Sequence, residues 1–90
     1  MATHQQNESL RLAAREVLAS RPGVALDLRG IRRRIEQEQH VDFRFTEDEL
    51  RAALAVLEGL KWIAITHGAL GATEHFQATA EGILAFERGQ

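Results

Sequence analysis

The sequence predicts a mainly α fold with one small β-hairpin, of the α+β class: three helices, a hairpin and a short closing helix. Three observations predict it. Apolar residues recur at helical spacing in three separate stretches of residues 1–60. A β-branched and aromatic run, Trp62-Ile63-Ala64-Ile65-Thr66, is followed by a glycine-bearing stretch and a second short run, Glu74 to Ala78. The chain has 90 residues and no cysteine, so a single domain over 1–90 is expected, held by an apolar core without disulfide or zinc–thiolate support. Residues 1–6 are expected to be disordered.

The first helix is expected over about Asn7 to Ser20, with Asn7 as N-cap and Leu10, Ala13, Ala14, Val17 and Leu18 on one stripe. Leu12 and Ala19 fall on the opposite face, open to solvent in a monomer or covered in a dimer. Arg21-Pro22-Gly23 ends the helix, because proline disfavours helical geometry at Arg21 and glycine permits a sharp turn. Val24-Ala25-Leu26 is an apolar stub suited to one edge β-bridge. Asp27 is a suitable N-cap for a second helix to about Gln39, with Leu28, Ile31 and Ile35 inward. Its other face carries Arg29, Arg32, Arg33 and Arg34. Glu36 and Glu38 stand four residues after Arg32 and Arg34, the spacing of helical ion pairs.

From His40 to Phe45, Val41, Phe43 and Phe45 alternate with polar residues, as in an extended linker that plugs aromatic anchors into the core. Thr46-Glu47-Asp48-Glu49 is a capping box, and the third helix runs on to about Leu60 with Leu50, Ala53, Leu54, Leu57 and, at its end, Leu60 expected inward. After the hairpin, Thr79 caps a short helix whose apolar residues are Ile83, Leu84 and Phe86. Glu81 lies in its first turn, where a carboxylate suits the helix dipole.

This element order resembles a winged helix-turn-helix, and the resemblance spans nearly the whole chain. Three stretches carry it: Pro22 to Leu26 before the second helix, Leu54 to Ile63 at the junction with the wing, and Ala78-Thr79-Ala80-Glu81-Gly82-Ile83. The last is similar to the Leu-Thr-x-x-Gly opening of the final helix in MarR- and PadR-like bacterial regulators. The pattern is also similar to small winged-helix proteins of Mu-like phages and prophages. One departure is Lys61, where the family's turn contains glycine. The resemblance implies a DNA-binding transcriptional regulator, with helix three in the major groove, helix two across the backbone and the wing beside it. It also implies a homodimer, for which Leu12, Ala19, Leu84 and Phe86 are the candidate contacts.

Charge qualifies that expectation. The net charge is −2, yet ten of the eleven basic residues are arginine. Residues 1–45 hold eight arginines against six acids, +2; residues 46–90 hold three basic residues against seven acids, −4. The expected reading helix offers Arg51 as its one donor suited to guanine, with Thr46 at its start, and the wing loop has no Lys or Arg. Arg29, Arg32, Arg33 and Arg34, with Arg44 on the linker, are therefore the candidate phosphate contacts. A solvated face with internal ion pairs explains the same cluster equally well. The acidic opening of helix three and the uncharged wing favour the alternative, a winged helix used for protein–protein contact or assembly.

Other functions find little support. No cysteine or tyrosine nucleophile exists, and Ser9 and Ser20 lack a recognisable base and orienting acid, so no enzyme is expected. No cofactor is expected. His67, His75 and Glu74 are the one arrangement resembling a metal site, and polar residues on a turn explain them better, so no metal is expected either. No apolar run approaches the roughly 20 residues of a membrane helix, and no signal-peptide pattern follows Met1. The expected location is the cytoplasm.

Overall fold

A computed structural model describes residues 3–67 and 73–89, apart from the side chain of His67. Helix α1 spans His4–Ala19, β1 Leu26–Asp27, α2 Leu28–Gln37 and α3 Glu47–Gly59; then come β2 Ile63–His67, β3 Glu74–Ala78 and α4 Ala80–Glu87. The strands form one antiparallel sheet in the order β1-β3-β2. Leu26 pairs with Phe76, so the apolar stub before α2 docks on the hairpin, and Ile63 pairs with Ala78 at the hairpin's open end. Three helices, a hairpin wing and a closing helix make this a winged-helix fold.

Helix starts follow from local chemistry. Thr46 accepts from the Glu49 N–H at 3.1 Å while the Glu49 carboxylate accepts from the Thr46 N–H at 2.9 Å, the reciprocal capping box. Asp27 and Thr79 cap α2 and α4 by accepting from the N–H groups of Gly30 and Gly82. The start of α1 differs from expectation. Thr3, not Asn7, is the N-cap, and Gln6 completes a second capping box, so residues 3–6 form the cap and first turn of the helix rather than a disordered stretch. Asn7 is inside it. The other differences are small: α2 ends at Gln37, and Leu60 is exposed.

The core is one cluster drawn from every layer. Leu10, Val17 and Leu18 of α1, Ile31 and Ile35 of α2, and Leu50, Leu54 and Leu57 of α3 meet Phe45, Ile63 and Phe76. Helix α1 packs against α2, α3, β3 and α4. Helix α4 meets α1 at Arg15, whose guanidinium lies beside the Phe86 ring. Ala19, expected at an outer dimer contact, is buried inside the monomer.

Two helix ends place a non-glycine residue in the left-handed region, Gln39 (φ 53°) and Lys61 (φ 64°). At α3 the N–H of Lys61 donates to the Glu58 carbonyl at 2.8 Å and that of Trp62 to the Leu57 carbonyl at 3.1 Å, a Schellman closure. At Lys61, then, a lysine takes the conformation that glycine adopts most easily. Lys61→Gly is expected to raise stability by about 1 kcal/mol by relieving the left-handed penalty. The check is a higher urea midpoint at unchanged slope.

A polar clamp ties the ends of α1 and α2. The Arg21 guanidinium donates to Glu38, and His40 lies 2.9 Å from Glu38 and 3.3 Å from Glu16. Hydrogen bonding from His40, and then from Arg21, holds the Glu38 carboxyl below its ordinary range. A carboxylate with a depressed folded-state pKa adds stability that is present above its unfolded pKa and lost as pH falls through the folded value. Glu38→Gln is therefore expected to flatten the acid limb of the stability–pH curve while leaving its shape near neutrality unchanged, as read from urea midpoints between about pH 2 and 7.

Candidate nucleic-acid interface

The candidate arginines do not form one uniform surface. Arg29 and Arg33 lie one turn apart on α2, both exposed, and neither has an ion-pair partner among the described residues. Arg29 borders a cleft of about 340 Å³ between the start of α2, the start of α3 and β3, shared with Glu47, Arg51 and Glu74. Arg44 is exposed and lines a larger cleft of about 650 Å³ with Arg32, Phe43, Phe45, Thr46 and Glu49. Arg29 and Arg44 therefore flank the first turn of α3, from α2 and from the linker before it, while Arg33 continues the exposed face of α2 one turn beyond Arg29.

Arg32 is held more firmly. Its Nε donates to Glu36 at 2.9 Å, Glu47 stands 3.9 Å from its Nη1, and its guanidinium lies 5.6 Å over the Phe45 ring. The expected pair of Arg32 with Glu36 thus forms. That of Arg34 with Glu38 does not, because Arg21 and His40 take the Glu38 carboxylate. Arg34 is half-buried and makes no ion pair among the described residues. Thr46 spends its hydroxyl oxygen as an acceptor for the α3 cap.

Helix α3 is less cationic still. Arg51, its one donor suited to guanine, donates from Nη1 to Glu74 of β3 at 3.0 Å. Glu47 and Asp48 occupy the first turn, and Ala52, Ala55 and Val56 make an exposed small apolar strip behind them. The wing tip, including Gly68 and Gly71, lies outside the described residues, as does the side chain of His67 on which the metal arrangement depended. His75 sits opposite Thr66, with its Nδ1 3.3 Å from the Thr73 carbonyl oxygen. Among the described residues no three His, Asp or Glu side chains gather as metal ligands, and no helix is long and apolar enough to cross a membrane.

The candidate dimer residues also divide. Leu12 and Leu84 are exposed, Phe86 is half-buried and Ala19 is buried. Sequence reasoning passed over Arg15. Leu12, Arg15 and Ala19 form one helical stripe, a signal that whatever covers Ala19 reaches Arg15 as well. Arg15 is almost wholly enclosed, since only 7% of it remains exposed. Its guanidinium carbon lies 4.6 Å from the Trp62 ring centroid and 5.6 Å from that of Phe86.

No protein-family model matches the chain, and no curated protein matches it either. Among solved structures it is similar to a transcriptional regulator from Clostridium thermocellum, at a TM-score of 0.76 and 17% sequence identity. That alignment covers 99% of this chain and 84% of the regulator. At this identity the likeness is one of fold.

Proposed function

We propose that this chain is a winged-helix DNA-binding protein, a transcriptional regulator of bacterial or phage type that acts in the cytoplasm as a homodimer. The observation that carries the reading is the exposure of Arg29, Arg33 and Arg44, unpaired among the described residues, with Arg29 and Arg44 bordering clefts at the start of α3. The fold likeness to a regulator adds to it. Backbone phosphates are the ligand that such dispersed guanidinium groups suit, since each contact needs charge and donors but no shared pocket. Base contact is limited to Arg51 and Thr46, one paired with Glu74 and the other engaged as a cap. Binding of this kind positions a protein on duplex DNA more than it reads sequence. Nothing in it calls for catalysis or a cofactor.

A salt titration on duplex DNA tests the reading. Wild-type affinity is expected to fall steeply with salt. Replacing Arg29, Arg33 and Arg44 with alanine should flatten the log–log slope by about 0.9 for each phosphate no longer neutralised. Absence of binding at low salt, or a slope untouched by the triple replacement, would overturn it. The paired Arg51–Glu74 and the exposed strip Ala52, Ala55 and Val56 favour a second reading, in which α3 contacts another protein. In that case Val56→Glu abolishes the complex while the arginine replacements leave it intact.

A further inference from the structure

The ion pair of Arg51 with Glu74 joins the third helix to the wing. Helix α3 packs against α1, α2 and β2, while Glu74 opens β3 and pairs with His67 at the tip end of the hairpin. The Arg51 side chain reaches across, and its Nη1 donates to the Glu74 carboxylate at 3.0 Å. Both side chains line the cleft of about 340 Å³ between α2, α3 and β3. Asp27, Glu47 and Glu74 line it together with Arg29 and Arg51, so carboxylates outnumber guanidinium groups there. These acids have different tasks. Asp27 accepts from the Gly30 N–H as the α2 cap, and Glu47 stands 3.9 Å from Arg32. Glu74 is the one that holds Arg51.

We infer that Glu74 is an autoinhibitory counter-ion, a carboxylate that occupies Arg51 and withholds it from DNA phosphates. Carboxylate and phosphate oxygens offer a guanidinium the same kind of acceptor, so the two compete for the same donors. The Arg51 side chain is 54% and that of Glu74 37% exposed, so the pair can open without disturbing the core. An exposed pair of this kind is weak by itself. Opening it for a phosphate, however, leaves the Glu74 carboxylate unpaired beside a polyanion, and that repulsion tilts the exchange against DNA. Arg29, across the same cleft and without an ion-pair partner among the described residues, gives up no such contact. The inference rests on the DNA-binding part of the proposed function and adds to it a residue that lowers affinity.

Salt titrations on a mixed-sequence DNA duplex test it, with the wild type, Glu74→Gln, Arg51→Gln and the double variant. Glu74→Gln is expected to tighten binding about 3- to 5-fold at low salt. It should also steepen the log–log slope by about 0.9, the contribution of one more phosphate contact. Arg51→Gln alone should leave the slope unchanged, because Glu74 already withholds that guanidinium. In the double variant the gain should disappear. A gain that persists there overturns the inference, since Glu74 then acts by plain repulsion of DNA. A slope that flattens with Arg51→Gln alone overturns it, since Arg51 then already contacts DNA. Equal changes in the two single variants overturn it as well, since the pair then serves only to hold the wing to α3. Binding that ignores Glu74→Gln does the same. All four of these outcomes leave DNA binding through Arg29, Arg33 and Arg44 standing, whereas absence of binding by every variant at low salt sinks that reading and the inference together.

Discussion

Replacing Gly82 with alanine is expected to destabilise the domain by on the order of 3 kcal/mol, a large part of the 5–15 kcal/mol typical of a small protein. A Cβ built at this position meets the Trp62 carbonyl oxygen at 2.0 Å and its carbonyl carbon at 2.8 Å. Neither is the end of a flexible side chain, so α4 or the first residues of the wing must move. The same carbonyl accepts the Thr79 N–H at 3.0 Å, and the Thr79 hydroxyl donates to the Lys61 carbonyl at 2.7 Å. Pushing α4 away therefore strains the hydrogen bonds that fasten it to the wing junction. Gly59 provides the internal control. It lies in the last turn of α3 with open space around its Cα, so Gly59→Ala should be neutral or stabilising by up to about 1 kcal/mol. Urea unfolding of both variants decides the matter; equal stabilities would show that α4 is free to shift.

That contact also explains a sequence motif in physical terms. Thr79-x-x-Gly82 pairs a residue that caps α4 and anchors it to Lys61 with one whose missing Cβ lets the helix touch the Trp62 backbone. The motif is visible in the sequence; its mate at residues 61–62 is not, because the contact joins positions about twenty apart. The same division runs through the whole chain. Capping at Thr46, Asp27 and Thr79, and the strand Glu74–Ala78, depend on neighbours within a few residues and are legible. Ala19 is misplaced by periodicity because tertiary packing buries it on the face where Leu12 stays exposed, which no local pattern reveals. Arg34 loses its expected partner to Arg21, seventeen residues from Glu38. Arg51 reads as a free donor until β3 sets Glu74 beside it, twenty-three residues on. The candidate site is thus legible as a set of residue types. Its free and committed members are not, since tertiary pairing decides which guanidinium groups remain available.

Phe45→Ala is expected to cost about 3–5 kcal/mol, and the reason concerns the placement of α3 as well as the core. Phe45 is buried and immediately precedes the N-cap Thr46, while Leu50 is the fourth helical residue; both belong to the same apolar cluster. Flanking a cap in this way, they form a hydrophobic staple that fixes the angle at which the chain enters the helix. The ring also lies beneath the Arg32 guanidinium, whose other neighbours are Glu36 and Glu47. Removing it leaves a cavity, releases the staple and frees Arg32 from its aromatic support. Phe45→Leu should separate these effects, because it keeps an apolar staple and removes only the ring, for an expected cost of about 1–2 kcal/mol. In conditions where the alanine variant still folds, the Glu49 and Leu50 amides should exchange faster than in the leucine variant, since the first turn of α3 then opens locally. Equal exchange in the two variants would mean that the capping box alone holds the helix start, and that the staple adds nothing to it.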